Sequence, residues 1–181
     1  NFHAFNLNIE PKNLWQTGSY WHLATRPDEW QKIPDQALKI HASIFDDILR
    51  NSQYQTLIHG DAKLANFAIN SDFKKVLGYD FQYVGKGVGV IDIMYFLGSC
   101  LSEKQLQRDA DDLLNNYFSY LKIALREFHP TIDSHVLFND WRKLWPMAWA
   151  DFYRFLAGWS PKHKKINSYM LQQYDISMKV I

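Results

Sequence analysis

The chain has 181 residues, of which 47% are hydrophobic and 16% aromatic; this composition excludes a disordered chain and suits one domain with a sizeable core. Its 20 Lys and Arg against 19 Asp and Glu leave a net charge of +1, which gives no basic footprint for nucleic acid. The one cysteine, Cys100, excludes an internal disulfide, and no apolar run is as long as a membrane span. We therefore expect a soluble, cytoplasmic protein that has neither nucleic acid nor a membrane as a partner.

Before residue 36 the chain is expected to be irregular. Residues 11–34 are interrupted by prolines and a glycine but carry large aromatic rings, namely Trp15, Tyr20, Trp21 and Trp30. Because a solvated loop would not carry so many rings, this segment is expected to pack across the helical part of the protein, with a substrate contact as the second interpretation. A helix is predicted over 36–50, because apolar residues recur there at helical spacing.

The middle of the chain predicts short strands. A strand at 55–59 precedes a predicted hairpin, whose strands lie at 67–70 and 76–79. This hairpin would bring Asn66, at the start of one strand, beside Asp80, at the end of the other. The two side chains could then share one metal ion.

The second half of the chain is predicted to be helical. The closely spaced glycines at 85–89 do not have dinucleotide-binding spacing and are expected to form a flexible segment. Helices are predicted over 105–128, 136–159 and 169–181. The second of these is unusually aromatic, and most of it is expected to be core. A minority of its side chains are candidates to line a substrate pocket: Trp149, Asp151, Arg154 and Trp159.

The stretch most indicative of chemistry is 57–70, in which an apolar run ends in His59-Gly60-Asp61 and Asn66 follows five positions after the Asp. A lone His-Gly-Asp is also common in turns. Together with Asp80, however, the spacing is that of a phosphoryl-transfer loop. Asp61 would accept a hydrogen bond from a substrate hydroxyl, and oxygens of Asn66 and Asp80 would hold Mg²⁺.

These residues resemble the catalytic loop of the aminoglycoside phosphotransferase and choline kinase-like families, which share the protein-kinase-like fold. Asp80–Tyr83 (Asp-Phe-Gln-Tyr) and Tyr95–Gly98 (Tyr-Phe-Leu-Gly) are similar to the ecdysteroid kinase-like branch. The resemblance implies an α+β, mainly α fold: the large C-terminal lobe of a kinase, a helical bundle with a small β-hairpin at the catalytic edge. It also implies one domain over 1–181, with a catalytic loop at 57–70 and a metal-binding segment at 76–92.

The resemblance assigns roles to further residues. Lys63 is placed like the lysine that contacts phosphate in protein kinases, where a cation offsets the charge of the migrating group. Asp92 resembles the helix-start Asp that holds the catalytic loop through backbone amides, and His59 is expected to support the loop. Phe81–Tyr83 departs from the protein-kinase Asp-Phe-Gly, which argues against an activation switch of that kind.

The beginning of the chain resembles the tail of a helix of the large lobe, at Phe2–Ala4. No glycine-rich loop and no strand-borne lysine precede the catalytic loop. We therefore expect the ATP-clamping N-terminal lobe to be absent from these residues and to belong to the same full-length chain. By itself this fragment is expected to be inactive.

The function predicted is ATP-dependent transfer of the γ-phosphate to a hydroxyl of a small molecule, with ATP and Mg²⁺ as cofactors. One alternative is a non-catalytic binding module or orphan lobe, although such a protein would be free to lose Asn66 or Asp80. A metal-assisted hydrolase ranks last, because the further carboxylate or histidine ligands that two-metal hydrolysis needs are not evident. An aminoglycoside, choline, a steroid alcohol or a sugar would each fit as the acceptor.

Overall fold

A computed structural model describes residues 1–181 and is mainly helical. This confirms the predicted fold class at the level of an α+β, mainly α chain. The helices are α1 (Phe2–Phe5), α2 (Pro27–Gln31), α3 (Gln36–Arg50), α4 (Gly89–Cys100), α5 (Glu103–Phe128), α6 (Ser134–Trp159) and α7 (Ser168–Ser177). The strands are β1 (Thr56–Ile58), β2 (Phe67–Ile69), β3 (Val76–Gly78) and β4 (Gly85–Gly87). Single 3₁₀ turns lie at Leu23–Thr25 and Leu64–Asn66.

The helix predicted over 36–50 is confirmed as α3. It begins after Asp35, whose Oδ1 accepts hydrogen bonds from the backbone N–H groups of Ala37 at 2.8 Å and Leu38 at 3.2 Å. Such a cap satisfies donors that have no partner inside the helix. Its buried face comprises Leu38, Ala42, Phe45 and Leu49, which recur every three or four residues.

Helix α6 is the central element of the core, and it contacts α2, α3, α4 and α7. From Leu144 to Gly158 every residue except Tyr153 is buried, so this part of the helix is enclosed on all sides. Helix α2 approaches it very closely, because a Cβ at Gly158 would lie 1.9 Å from the Glu29 carbonyl oxygen. The prediction that the aromatic helix is mostly core is therefore confirmed.

The last helix is shorter than predicted. It begins at the cap Asn167, whose Oδ1 accepts from the Met170 amide at 3.0 Å, and it ends at Ser177 instead of continuing to residue 181. Beyond Ser177 the amides of Lys179 and Val180 bond to carbonyls three residues earlier, at 3.1 Å. The chain tightens into a turn there, and the predicted extent over 169–181 was wrong at its end.

Two small antiparallel sheets are present, where only one hairpin was predicted. The predicted hairpin is confirmed as β2–β3, with Phe67 opposite Gly78. The second sheet pairs β1 with β4, and Thr56 faces Gly87 while Ile58 faces Gly85. The prediction of a flexible glycine segment was therefore wrong.

The glycines of β4 allow close packing. A Cβ at Gly85 would lie 2.4 Å from the Trp15 carbonyl oxygen, and one at Gly87 would lie 2.7 Å from the Ile58 side chain. A side chain at Gly85 would clash with backbone, so glycine is required there, whereas at Gly87 the Ile58 side chain would have to shift.

The irregular segment at 11–34 packs across the helical part, as predicted. Trp21 is buried, and its indole N–H donates to the Asp151 carboxylate on α6 at 2.8 Å. Trp15 is bridged to β4 at Gly85, and its indole N–H donates to the Gln82 carbonyl at 2.8 Å. Among the helices, none combines the length and the apolar character that a membrane crossing requires.

Candidate active site

The turn after β1 is held by one carboxylate. Asp92, in the first turn of α4, accepts hydrogen bonds from the backbone N–H of His59 at 2.6 Å and of Gly60 at 3.0 Å. Gly60 adopts φ +78, and a Cβ there would lie 2.2 Å from the Tyr83 carbonyl oxygen. The contact between Asp92 and the loop amides that the sequence indicates is thus present, and it fixes the backbone immediately before Asp61.

A buried histidine supports Asp92 from the other side. The Nε2 of His3 lies 3.0 Å from Asp92 Oδ2, and its Nδ1 lies 2.8 Å from the Tyr117 hydroxyl. Burial is the main cause that raises the pKa of Tyr117 well above its ordinary value, and the Asp92 charge adds to the shift. Tyr117 is therefore a neutral hydrogen-bonding group. The network joins α1, α5 and α4 under the loop that carries Asp61.

Asp61 is buried, but its two oxygens have different surroundings. Oδ2 accepts from the Lys63 ammonium at 2.7 Å and from the Asn66 side-chain amide at 3.0 Å. Oδ1 is buried and forms no hydrogen bond, although the Tyr95 hydroxyl lies near enough to Asp61 for the carboxylate to contribute to the raised pKa of Tyr95. A buried carboxylate oxygen without a donor is costly, so this atom is available for a donor that a ligand brings.

Asn66 and Asp80 are close together because of the hairpin. The Tyr79 amide donates to the Asn66 carbonyl at 3.1 Å, which places Asp80 one residue beyond that pair. His59 Nε2 hydrogen-bonds to the Tyr79 carbonyl oxygen at 3.0 Å, and the His59 ring lies 4.7 Å from the Phe81 ring. The expected supporting position of His59 is therefore present.

The oxygens of Asn66 and Asp80 suit a hard cation. The Asn66 amide nitrogen donates to the backbone carbonyl of Asp61 at 2.8 Å as well as to its side chain, which leaves the amide oxygen free. Asp80 is exposed, has φ 64 and forms no ion pair. No cluster of three or more His, Cys, Asp or Glu side chains is present to hold a metal. Two protein oxygens fit Mg²⁺, which takes its other ligands from water and phosphate.

Two tyrosines border Asp61 on the side of α4. The Tyr20 and Tyr95 hydroxyls lie 3.0 Å apart, and their rings meet at 5.6 Å. Burial, assisted by the Asp61 charge, raises the pKa of Tyr20 to about 12, although its hydrogen bond to Tyr95 opposes the shift. The pKa of Tyr95 is raised further, first by burial and then by Tyr20 and Asp61. Both hydroxyls keep their protons at neutral pH and remain possible donors.

Lys165 also faces this region, from the segment between α6 and α7. Its Nζ lies 4.4 Å from the centroid of the Tyr95 ring and 5.5 Å from that of Phe152. Burial lowers the pKa of this ammonium to about 8, even though the Asp61 carboxylate opposes the shift. The charges of Lys63 and Lys164 add to the lowering.

Three of the four candidates for a substrate pocket are buried. Trp149 and Arg154 are each 1% exposed, and Asp151 accepts from the buried Trp21 and Arg154 side chains at 2.8 Å. Trp149 and Arg154 are thus enclosed along this stretch of α6, whereas Asp151 borders a cavity with Ser19 and Asp46; a substrate contact of the three stays a prediction. Trp159 is 55% exposed and stacks on Phe155, so it alone of the four reaches the surface.

Sequence reasoning missed Tyr95 and Lys165 beside Asp61, and it named Tyr20 only among the rings of 11–34, for which a substrate contact was the second interpretation. Tyr20, Tyr95 and Lys165 come from three distant parts of the chain, and none belongs to a motif of its own. Tyr95 stands inside the Tyr-Phe-Leu-Gly stretch that carries the family resemblance, which was the one available signal. His3 was noted only as the tail of a helix, without its bond to Asp92.

The residues around Asp61 are of the types that kinase-like phosphotransferases use, and the family comparison agrees with that class. The model of the ecdysteroid kinase-like family matches residues 15–129, which is more than half of the chain. The chain therefore belongs to the ecdysteroid kinase-like family, and membership indicates kinase-like phosphotransferase activity at the family level. Among the curated proteins and the solved structures, none matches it.

Proposed function

We propose that the protein transfers the γ-phosphate of ATP to a hydroxyl group of a small molecule. The observation that supports this proposal is the unequal hydrogen bonding of the two carboxylate oxygens of Asp61. One of its oxygens is held by Lys63 and Asn66, while Oδ1 is buried and forms no hydrogen bond. A substrate hydroxyl would supply the missing donor and would be oriented by the same contact.

In this proposal each residue of the loop has a defined task. The substrate oxygen forms a bond to the γ-phosphorus, the bond from that phosphorus to the bridging oxygen of ADP breaks, and the hydroxyl proton passes to Asp61. Lys63, whose ammonium lies 2.7 Å from Asp61, offsets the charge of the group in transfer. Asn66 and Asp80 would hold Mg²⁺, which neutralises charge on the phosphates.

We further propose that the helical domain corresponds to the large lobe of a kinase-like fold, and that a nucleotide-clamping lobe lies elsewhere in the same full-length chain. Support comes from the placement of the loop. Its apolar lead-in is strand β1, its Asn begins the β2–β3 hairpin and its second Asp follows that hairpin. The cytoplasm, where ATP is available, is the proposed location.

The test is ATP turnover by the full-length chain with Mg²⁺ and a panel of hydroxyl compounds, with phosphorylated products detected by ³¹P NMR. Asp61→Asn keeps the size of the side chain but removes its negative charge, and we expect kcat to fall by about 10²–10⁴. Asp112→Asn is the matched control, because Asp112 is exposed on α5 and makes no hydrogen bond or ion pair. Turnover by the Asp61 variant at the rate of the control would refute the proposal.

A further inference from the structure

We propose that Lys165 determines acceptor specificity, rejecting positively charged acceptors and favouring uncharged hydroxyl compounds. That the surface beside Asp61 receives the acceptor rests on the proposed function. The charge preference itself follows from how Lys165 is placed.

The position of Lys165 is fixed by its surroundings. It lies in the eight-residue segment at 160–167 that joins α6 to α7, and its backbone N–H donates to His163 Nδ1 at 3.2 Å. Its ammonium is held above the Tyr95 ring at 4.4 Å and near Phe152 at 5.5 Å. Cations within about 6 Å of a ring face are attracted to it.

Three aromatic rings on this side of Asp61, although not that of Tyr20, are consequently already contacted by cations of the chain itself. Lys165 covers Tyr95 and Phe152, and the Arg26 guanidinium lies 5.8 Å from the Phe155 ring. Proteins that bind quaternary ammonium groups leave such faces free for the ligand. A choline-like acceptor would have to displace a lysine from the ring that it needs.

The charges around Lys165 also disfavour a cationic acceptor. Asp61 is already paired with Lys63, and Lys165 forms no ion pair with a carboxylate. Lys164 is a further cation near Lys165, and the Cys100 thiol, which also faces it, is kept neutral because burial raises its pKa. A cationic acceptor would therefore meet the charges of Lys165 and Lys164, and the one carboxylate that acts on Lys165, Asp61, is already paired with Lys63. At about 6 Å and a partly hydrated dielectric, this repulsion weakens its binding by about tenfold.

Lys165 is expected to attract an uncharged acceptor instead of repelling it. The Lys165 ammonium can donate a hydrogen bond to one of its oxygens, and the aromatic rings beside it can contact an apolar skeleton. The cation that repels an ammonium group therefore serves as a hydrogen-bond donor for an alcohol or a polyol.

The experiment uses two alcohols that differ in charge and little in shape, choline and 3,3-dimethylbutan-1-ol. Dissociation constants are measured by NMR titration of the full-length chain without nucleotide, so the result does not depend on turnover. The quantity compared is the ratio of the two constants, in the wild type and in three variants. Lys165→Met removes the charge and keeps the length, Lys165→Arg keeps the charge, and Lys104→Met removes an exposed lysine from α5.

We expect the preference for the neutral alcohol to fall about tenfold in Lys165→Met and to be retained in Lys165→Arg and Lys104→Met. An unchanged ratio in Lys165→Met would overturn the proposal, and so would the absence of any preference in the wild type, including failure to bind either alcohol. Thermal unfolding of each variant verifies that it is folded. If the charge preference is found but no compound is phosphorylated, the proposed transfer fails while the specificity of Lys165 stands.

Discussion

The carboxylate of Asp92 accepts hydrogen bonds from two consecutive amides of the loop before Asp61, those of His59 and Gly60, across more than 30 positions of the sequence. A charge buried at the start of a largely apolar helix requires such partners. The same contact determines where the chain turns before Asp61. One interaction thus stabilises the fold and positions the group that is proposed to face the substrate.

Replacing Asp92 with Asn should weaken both functions of this contact. The amide nitrogen of an Asn would face a backbone N–H or the His3 ring where an acceptor is needed. We expect the free energy of unfolding to fall by about 1–3 kcal/mol, the usual cost of leaving a buried donor unsatisfied. In the full-length chain kcat should fall more than KM changes, because the loop that carries Asp61 is misplaced. Denaturant unfolding and steady-state kinetics measure the two effects, and an unaltered kcat would contradict the positioning role.

Gly60 provides a test of the backbone alone. At φ +78, and with a Cβ only 2.2 Å from the Tyr83 carbonyl, Gly60→Ala should destabilise the fold by about 1–3 kcal/mol or more. Gly78→Ala is the comparison, because a Cβ there would meet its nearest neighbour, the Phe81 ring, at 3.3 Å and needs no unusual φ. Denaturant unfolding of both variants should give the larger loss for Gly60→Ala. Equal losses would show that the turn is not strained by a side chain.

Local patterns in the sequence were sufficient to predict many of the helices and strands of this fold. Helix α3 was predictable from the spacing of its apolar residues, and the β2–β3 hairpin from two short apolar runs around a polar turn. The second sheet was not predictable, because glycine in β4 usually signals flexibility. Its reason lies in close neighbours, Trp15 and Ile58, that are distant in sequence.

The burial of individual side chains on the aromatic helix α6 was likewise not predictable from the sequence. Asp151 and Arg154 were among the side chains of this helix that the sequence offered as candidates to line a substrate pocket. In the structure they neutralise each other inside the core, where Trp21 binds both, as a donor to Asp151 and an acceptor from Arg154. Spacing could not show that α6 is enclosed on every side.

That buried pair should be sensitive to the loss of one partner. Burial already raises the pKa of Asp151, and Arg154 is the main group that opposes the shift. Arg154→Met would leave the carboxylate almost alone in the core, and we expect a loss of about 3–5 kcal/mol at neutral pH. The loss should be smaller near pH 4, because a carboxyl group whose folded pKa is raised gives up its penalty by binding a proton.

The double variant Asp151→Asn with Arg154→Met isolates the charge. It should recover part of the stability that Arg154→Met loses, because no unpaired charge remains in the core. Denaturant unfolding at pH 7 and pH 4 gives both comparisons. If the double variant were no more stable than the single one at pH 7, the unpaired charge of Asp151 would not be the cause of the loss.

The pKa of Lys165 predicts a pH dependence of stability that can be separated from other titrations. Burial lowers this pKa from 10.5 to about 8 in the folded chain. Between these two values the unfolded chain holds a proton that the folded chain has released, so the free energy of unfolding should rise with pH. After allowance for the solvent that reaches Lys165, the rise attributable to it is about 1 kcal/mol. Below pH 8 the contribution is constant, because both states are protonated.

Comparison with Lys165→Met removes the contribution of the tyrosines that titrate in the same range. The wild type should gain stability relative to this variant as the pH rises from 8 to 10.5, whereas Lys104→Met should follow the wild type throughout. Denaturant unfolding at half-unit steps of pH would show the difference. Parallel curves for the wild type and Lys165→Met would mean that the ammonium is hydrated in the folded chain. Such a result would contradict the position of the Lys165 ammonium above the Tyr95 ring.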